Sequence, residues 1–344
     1  MSRLRQVDRF AALRLATAAQ AAAEAEASGY DALWTSENRH DALLPLAPAA
    51  QATTSIRLGT GVAIAFARTP MTVAYQAHDL QSFSGGRLLL GLGPQVGAHV
   101  RNRFGMPFSA PAARMREFVA ALRAIWRAWE TGERLRFEGE HYRHTLMTPN
   151  FTPEPHPYGP PPVYLAAVGP KMTAVAGEVA DGLLAHPFTT PSFLAEVTLP
   201  TLEAGAGRGR RAGADVEMSV TAFVATGPDE RALSAAVAGV RRRIAFYGAT
   251  PAYRPVLDHH GMGELQPRLD AMAREGRWEA MDALVPDELV DLMCVTGTPE
   301  EVGAVLVQRF GMLADRLAVN APYELDRESA DAVADSVRRH LDGR

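Results

Sequence analysis

The sequence predicts an α/β fold, a closed (β/α)8 TIM barrel with insertions, on three observations. Eight short apolar segments are mostly separated by helical ones. These segments do not alternate in polarity, as strands of a parallel sheet buried on both faces require. The 344 residues exceed the roughly 250 that such a barrel needs, which leaves room for insertions in one domain spanning 1–344. An open doubly wound sheet is the other arrangement, but no G-x-G-x-x-G follows the first strand.

The elements follow in order. Residues 4–10 read as a short, unusually charged strand. Residues 13–28 are Ala-rich and helical, with Gly29 as the stop. YDALW (30–34) is the second strand and 43–54 the second helix. IRLGTGVAIAF (56–66) reads as one buried strand. Pro70 opens a third helix, at a position where its missing N–H costs nothing, and Ser84-Gly85-Gly86 ends it. Residues 88–93 are the fourth strand. The helix over 112–130 places Phe118, Leu122, Ile125 and Trp129 on one face. An excursion over about 131–162 follows, with a hairpin near Glu138-Gly139-Glu140 and a Pro-rich run. The rhythm resumes with a strand at 163–168, a helix at 170–179, a strand at 182–185, a helix over about 192–207, a strand at 218–226 and a helix at 229–247. A second excursion covers about 248–283. Helices at 287–293 and 299–310 precede the eighth strand at 315–320.

The net charge of −4 gives no electrostatic case for nucleic acid. The single Cys294 excludes an internal disulfide framework and a cysteine-rich metal site. Adjacent His259 and His260 lack a third ligand at helical spacing, so no metal site is expected. No apolar run reaches the length of a membrane span and the N-terminus lacks a signal peptide's apolar core. The expected compartment is the cytoplasm, with a small molecule as partner.

In a barrel, chemistry gathers at the C-terminal ends of the strands. That rule selects Ser36, Glu37, Asn38 and His40, Gly61 to Phe66, Gly93 to Gln95, Val168 to Lys171, His186, Ala222 and Val224 or their neighbours, and Asn320. Among these, AAVGPKM (166–172) is the most specific. A strand ends, glycine permits close approach, proline opens a helix, and Lys171, the only lysine in the chain, sits in its first turn. Free amides and the helix dipole at such an end favour an anion, and lysine adds a point charge suited to phosphate. A plain helix cap with a solvated lysine is the alternative. His40 is a natural proton carrier, or else a surface histidine paired with Asp41. Gly59 and Gly61 inside a buried strand mark a bulge or a close ligand approach, or tight packing within the ring.

Taken together, GYDALWTSE (29–37), IRLGTGVAIAF (56–66), SGGRLLLGLG (84–93), GPKMTAVAGEVADG (169–182) and GTPEEV (297–302) resemble the luciferase-like flavin and deazaflavin oxidoreductases over nearly the whole chain. The resemblance is strongest to the branch that uses coenzyme F420. It implies a barrel binding F420, or FMN as in relatives, with the ring against the third strand. A non-prolyl cis bond would lie at Gly61–Val62, with Gly93 nearby. Glu37 and Asn38 would flank the ring, and Ala167, Val168, Gly169, Pro170, Lys171 and Met172 would hold the phosphate. His40 is then the expected proton donor or acceptor, with Glu37 beside it. Two departures stand out. Pro94 replaces a threonine common in relatives, and Gln95-Val96-Gly97 lacks the acid of F420 sugar dehydrogenases, which argues against sugar-phosphate oxidation.

The leading expectation is hydride transfer between F420 and an organic substrate. An FMN monooxygenase, needing a reductase partner, is the alternative. A Schiff-base aldolase built on Lys171 and a non-catalytic cofactor carrier are further readings. The excursions, including Tyr253 and Arg254, either roof the substrate pocket or form surface and homodimer contacts.

Overall fold

Eight strands close into a ring in which every neighbouring pair is parallel. They are β1 (Gln6–Phe10), β2 (Ala32–Thr35), β3 (Arg57–Thr60), β4 (Leu88–Gly93), β5 (Val163–Ala167), β6 (Gly182–Ala185), β7 (Glu217–Ala225) and β8 (Arg316–Asn320). The structure, a computed structural model, describes residues 2–209 and 215–342. The main core lies between the ring and its outer helices, where Phe118, Leu122 and Ile125 of helix Pro111–Thr131 are fully buried. Local chemistry sets several helix starts. Thr69 accepts the Thr72 amide before Pro70–Phe83, Asp229 caps Glu230–Gly248, and Thr298 with Glu301 forms a capping box on Pro299–Phe310.

Inside the ring the packing is aromatic against glycine. Trp34, Leu89, Tyr164 and Leu184 form a buried cluster with Phe10, Val62 and Ala166 against it. A Cβ on Gly59 would lie 2.3 Å from Trp34, and one on Gly182 would lie 2.2 Å from Tyr164. The inner glycines therefore make room for large rings. The charged first strand is explained the same way. Asp8 accepts hydrogen bonds from Trp34 Nε1 (2.8 Å) and from both Nε and Nη2 of Arg316 (2.7 and 2.8 Å) inside the ring.

The expected single strand over 56–66 is instead broken. β3 pairs with β4 at Leu58–Leu88 and Gly59–Leu89, and the two-residue strand Ala63–Ile64 that continues it pairs with β4 at Ala63–Leu92 and Ile64–Gly93. The register offset falls from 30 to 29, so β3 carries one extra residue, a bulge. The Gly61–Val62 peptide within it is cis, as the family resemblance implied. The Thr60 hydroxyl fills the gap in the ladder, donating to Gly91 O (2.7 Å) and accepting the Gly91 amide (3.0 Å). A Cβ on Gly91 would sit 1.8 Å from Thr60 O, a backbone atom that cannot swing aside. Gly91→Ala is therefore expected to cost about 3 kcal/mol or more, read as a lowered thermal midpoint. Gly169→Ala, whose Cβ would meet nothing within 4 Å, should leave it unchanged. Equal midpoints for the two variants would refute this packing argument.

Two elements escape the sequence reading. Cys294–Thr296 adds a short parallel strand to the end of β7 outside the ring. Helix Arg327–Asp342 packs on helix Pro299–Phe310, where Gly303 admits Ser336. The first excursion holds the hairpin Phe137–Glu138 with Arg143–His144, whose turn amides at Glu140, His141 and Tyr142 donate to the Glu117 carboxylate. The second builds a separate core of Phe188, Phe223, Val240, Leu257, Leu269 and Met293 against the ends of β6 and β7. No helix among the described residues is long and apolar enough to cross a membrane.

Candidate active site

The C-terminal mouth of the ring gathers most of the residues singled out above. The bulge is tied to the end of β2. The Gly61 amide donates to Thr35 O (2.7 Å) and the Glu37 amide to Val62 O (3.2 Å). The Glu37 carboxylate then accepts the Ile64 amide (2.8 Å) and Arg68 Nη1 (2.7 Å). Glu37 and Arg68 are well buried, at 8% and 11% side-chain exposure. Arg68 Nη2 reaches on to Asp41 at 2.6 Å. One guanidinium thus joins the loop after β2 to the segment after the bulge. Sequence reading missed Arg68, because only tertiary contact brings it to Glu37.

Gly61 and Val62 are partly accessible, unlike Gly59 and Thr60 below them. A Cβ on Gly93 would lie 2.8 Å from Val62 Cγ2 and 3.7 Å from the Ala166 Cβ. Gly93 thus leaves room for the side chains of Val62 and Ala166, one from the bulge and one from β5, against the same inner cluster. Beyond Gly93, Gln95 adopts φ 62°, a left-handed conformation uncommon for a residue with a side chain. Its own side chain accepts the Val96 amide.

After β5 the chain turns at Gly169 into helix Pro170–Val179. Gly169 has no capping side chain, and Thr173 donates back to its carbonyl. The amides of Lys171 and Met172 lie in the first turn, where no intrahelical acceptor exists. Lys171 is exposed and makes no hydrogen bond or ion pair among the described residues. Ala167 pairs with Ala185 of β6, and Val168 packs against the second core.

Other predicted residues sit less centrally. Asn38 is exposed. Its amide donates to Ser36 Oγ and its carbonyl accepts Arg103 Nη2. His40 is exposed too. Asp41, its expected surface partner, is taken instead by Arg68 and by the amides of Leu43 and Leu44. His99 is exposed on the short helix Gly97–Asn102. His260 bonds Thr190 rather than joining a metal set with His259.

His186, one residue past β6, is drawn into an aromatic cluster. Its ring lies 4.5 Å from Tyr247 and 4.6 Å from Tyr253, and its Nδ1 accepts the Phe188 amide at 3.1 Å. Burial pushes this imidazole down to about 3, with no charge contributing. Burial, helped by Tyr247, pushes the Tyr253 hydroxyl up to about 12. Both rings are therefore neutral near pH 7. Tyr253, from the second excursion, thus packs against the residue that follows β6.

Comparison with known proteins agrees with this architecture. Residues 4–316 match the family model described as luciferase-like monooxygenase. An uncharacterised protein of Mycobacterium tuberculosis is 50% identical over 304 residues, covering 88% of this chain and 89% of its own length. A second protein of that organism, provisionally named a coenzyme F420-dependent oxidoreductase, is 35% identical over 304 residues, or 83% of this chain and 84% of its own. The solved coenzyme F420-dependent tetrahydromethanopterin reductase from Methanopyrus kandleri superposes with a TM-score of 0.80 at 21% identity. That match covers 98% of this chain and 99% of the other, and it shows a shared fold. A bulged (β/α)8 ring with an open corner after β5, matched by a family model over most of its length, places this chain in the luciferase-like monooxygenase family of oxidoreductases.

Proposed function

We propose that this oxidoreductase uses coenzyme F420 to move a hydride to or from a small organic substrate. The observation that carries the reading is the corner after β5. Gly169 has nothing within 4 Å of where a Cβ would stand, and the only lysine of the chain stands exposed in the helix turn that follows, with no partner among the described residues. An unpaired cation in the first turn of a helix opposes the helix dipole, so an anionic ligand accounts for it. The phosphate of a deazaflavin cofactor is such a ligand, and the name of the relative at 35% identity supports that choice over FMN.

When bound, the deazaflavin supplies the hydride-carrying carbon. The protein's part is to hold and shield. Lys171 and the amides of Gly169, Lys171 and Met172 would grip the phosphate, beside Ala167, Val168 and Pro170. Gly61 and Val62 offer a backbone platform at the mouth, where Gly93 leaves room for the Val62 side chain. Glu37, its carboxylate engaged by Arg68 and Ile64, acts as a positioning residue for that platform. His40, free of Asp41, is the proposed proton carrier, and Asn38 lies between the two.

The test is titration with F420 and, separately, with FMN. Tight binding of F420 is expected. Lys171→Ala should weaken it roughly 10- to 100-fold, the range of one charge-assisted contact, and the loss should shrink at high salt. Lys171→Arg should retain most of the affinity. Preference for FMN would favour a monooxygenase served by a separate reductase. Unchanged F420 affinity in Lys171→Ala at low salt would remove the phosphate assignment.

A further inference from the structure

We propose that His186 is the substrate-recognition donor of the barrel mouth, its Nε2–H meeting an oxygen of an uncharged aromatic carbonyl or hydroxyl compound whose rings extend over Phe246 and Trp278. The proposal rests on the oxidoreductase reading and adds a substrate class to it.

Position comes first. Ala185 pairs with Ala167, so His186, the next residue, emerges beside Val168 at the start of the proposed phosphate turn. The ring's state follows from its contacts. Nδ1 accepts a backbone amide, which places the proton of a neutral imidazole on Nε2. Nε2 makes no hydrogen bond among the described residues, and His186 keeps partial solvent access. It is therefore a donor open to a ligand. Burial keeps the ring uncharged.

The surroundings choose the ligand class. From His186 a run of rings leads outward. Tyr247 lies at 4.5 Å, Phe246 is 5.6 Å from Tyr247, and Trp278 is 5.9 Å from Phe246. The last two are half-exposed, at 51% and 52%. Such a ramp suits flat apolar rings, which stack with gains beyond area burial. Of the cations nearby, one is ion-paired and the other, exposed, lies over a ring face. Arg254 pairs with Asp258 and Glu264, and Arg243 stands 5.6 Å over the Tyr247 ring. A neutral donor at the end of an aromatic ramp recognises a ketone or alcohol better than a carboxylate, which asks for a charged partner.

Calorimetry with 2-acetonaphthone and with 2-naphthoate, the same ring system without and with charge, tests this. The ketone should bind the unaltered protein at least tenfold more tightly than the carboxylate. His186→Phe, which keeps a ring and removes the donor, should bind the ketone about tenfold more weakly, the loss of one hydrogen bond. Its F420 affinity should be unchanged. Trp278→Ala should also weaken the ketone. Nitrogen-15 spectra of His186 should show the neutral Nε2–H form from pH 5 to 8, whichever variants fold. Absence of ketone binding, equal binding of the two probes, equal ketone affinity in His186→Phe, or a protonated or Nδ1–H ring would each overturn the proposal. So would a tenfold loss of F420 affinity in His186→Phe, which would assign the ring to the cofactor. Failure of the unaltered protein to bind F420 would instead sink the F420 reading and leave the probe comparison intact.

Discussion

Replacing Asp8 with alanine should lower the thermal midpoint by roughly 4–7 °C, among the largest losses that any single side chain of this barrel would cause. The Arg316 side chain is 1% exposed and that of Asp8 is fully buried, with the guanidinium bound through two nitrogens. Removing one partner of a buried pair leaves an uncompensated charge and costs about 3–5 kcal/mol. With an unfolding entropy of about 2 cal/mol/K per residue, that cost becomes the stated shift for a chain of this length. The Trp34 indole N–H would lose its acceptor as well. Gln6 also bonds Arg316, and Glu217 stands 4.0 Å away, so the low end of the range is expected. The double variant Asp8→Leu, Arg316→Met is the control. It removes both charges, so it should recover most of the loss. A double variant as unstable as the single one would show that packing, not the stranded cation, sets the cost.

The same residues show what was legible in the sequence. Period and punctuation carried the ring: apolar strands, Pro at helix starts and Thr298 ahead of Glu301 are local signals, and the helices at 287–293 and 299–310 lie where they were expected. The cis bond at Gly61–Val62 was legible through resemblance alone, since no local pattern distinguishes it. An apolar run such as 56–66 conceals its own register, so the bulge could not be read from composition. Cys294–Thr296 is too short to show a period. The C-terminal helix sets Val333, Ala334, Ser336 and Val337 against an otherwise charged surface, an amphipathic pattern that lies beyond the eight strand–helix units the ring calls for. The strand-end rule reaches the residues at the mouth but not their partners. It could not foresee that Arg68, on the far side of the bulge, would claim both Glu37 and Asp41, because that choice is made by three loops meeting in space.

That claim leads to the second large effect. Arg68→Met should weaken F420 binding at least tenfold and lower stability by about 2–4 kcal/mol, because it strands the Glu37 carboxylate at 8% exposure with only the Ile64 amide as partner. The bulge would lose the clamp that also holds Asp41, while Lys171 and its corner remain untouched. Adding Glu37→Gln to Arg68→Met removes the stranded charge and keeps a side-chain acceptor for the Ile64 amide. The double variant should therefore recover at least half of the lost stability. Two contacting groups of this kind are expected to couple by about 1–3 kcal/mol in a double-mutant cycle. F420 affinity should recover less than stability, since the link from Arg68 to Asp41 is still missing. If Arg68→Met and its double variant are equally unstable, the carboxylate does not need the guanidinium and the clamp is not electrostatic. If both unfold less readily than expected yet bind F420 normally, the geometry after β3 is held by the backbone bonds of Gly61 and Glu37 alone, and the positioning role assigned to Glu37 falls with the clamp.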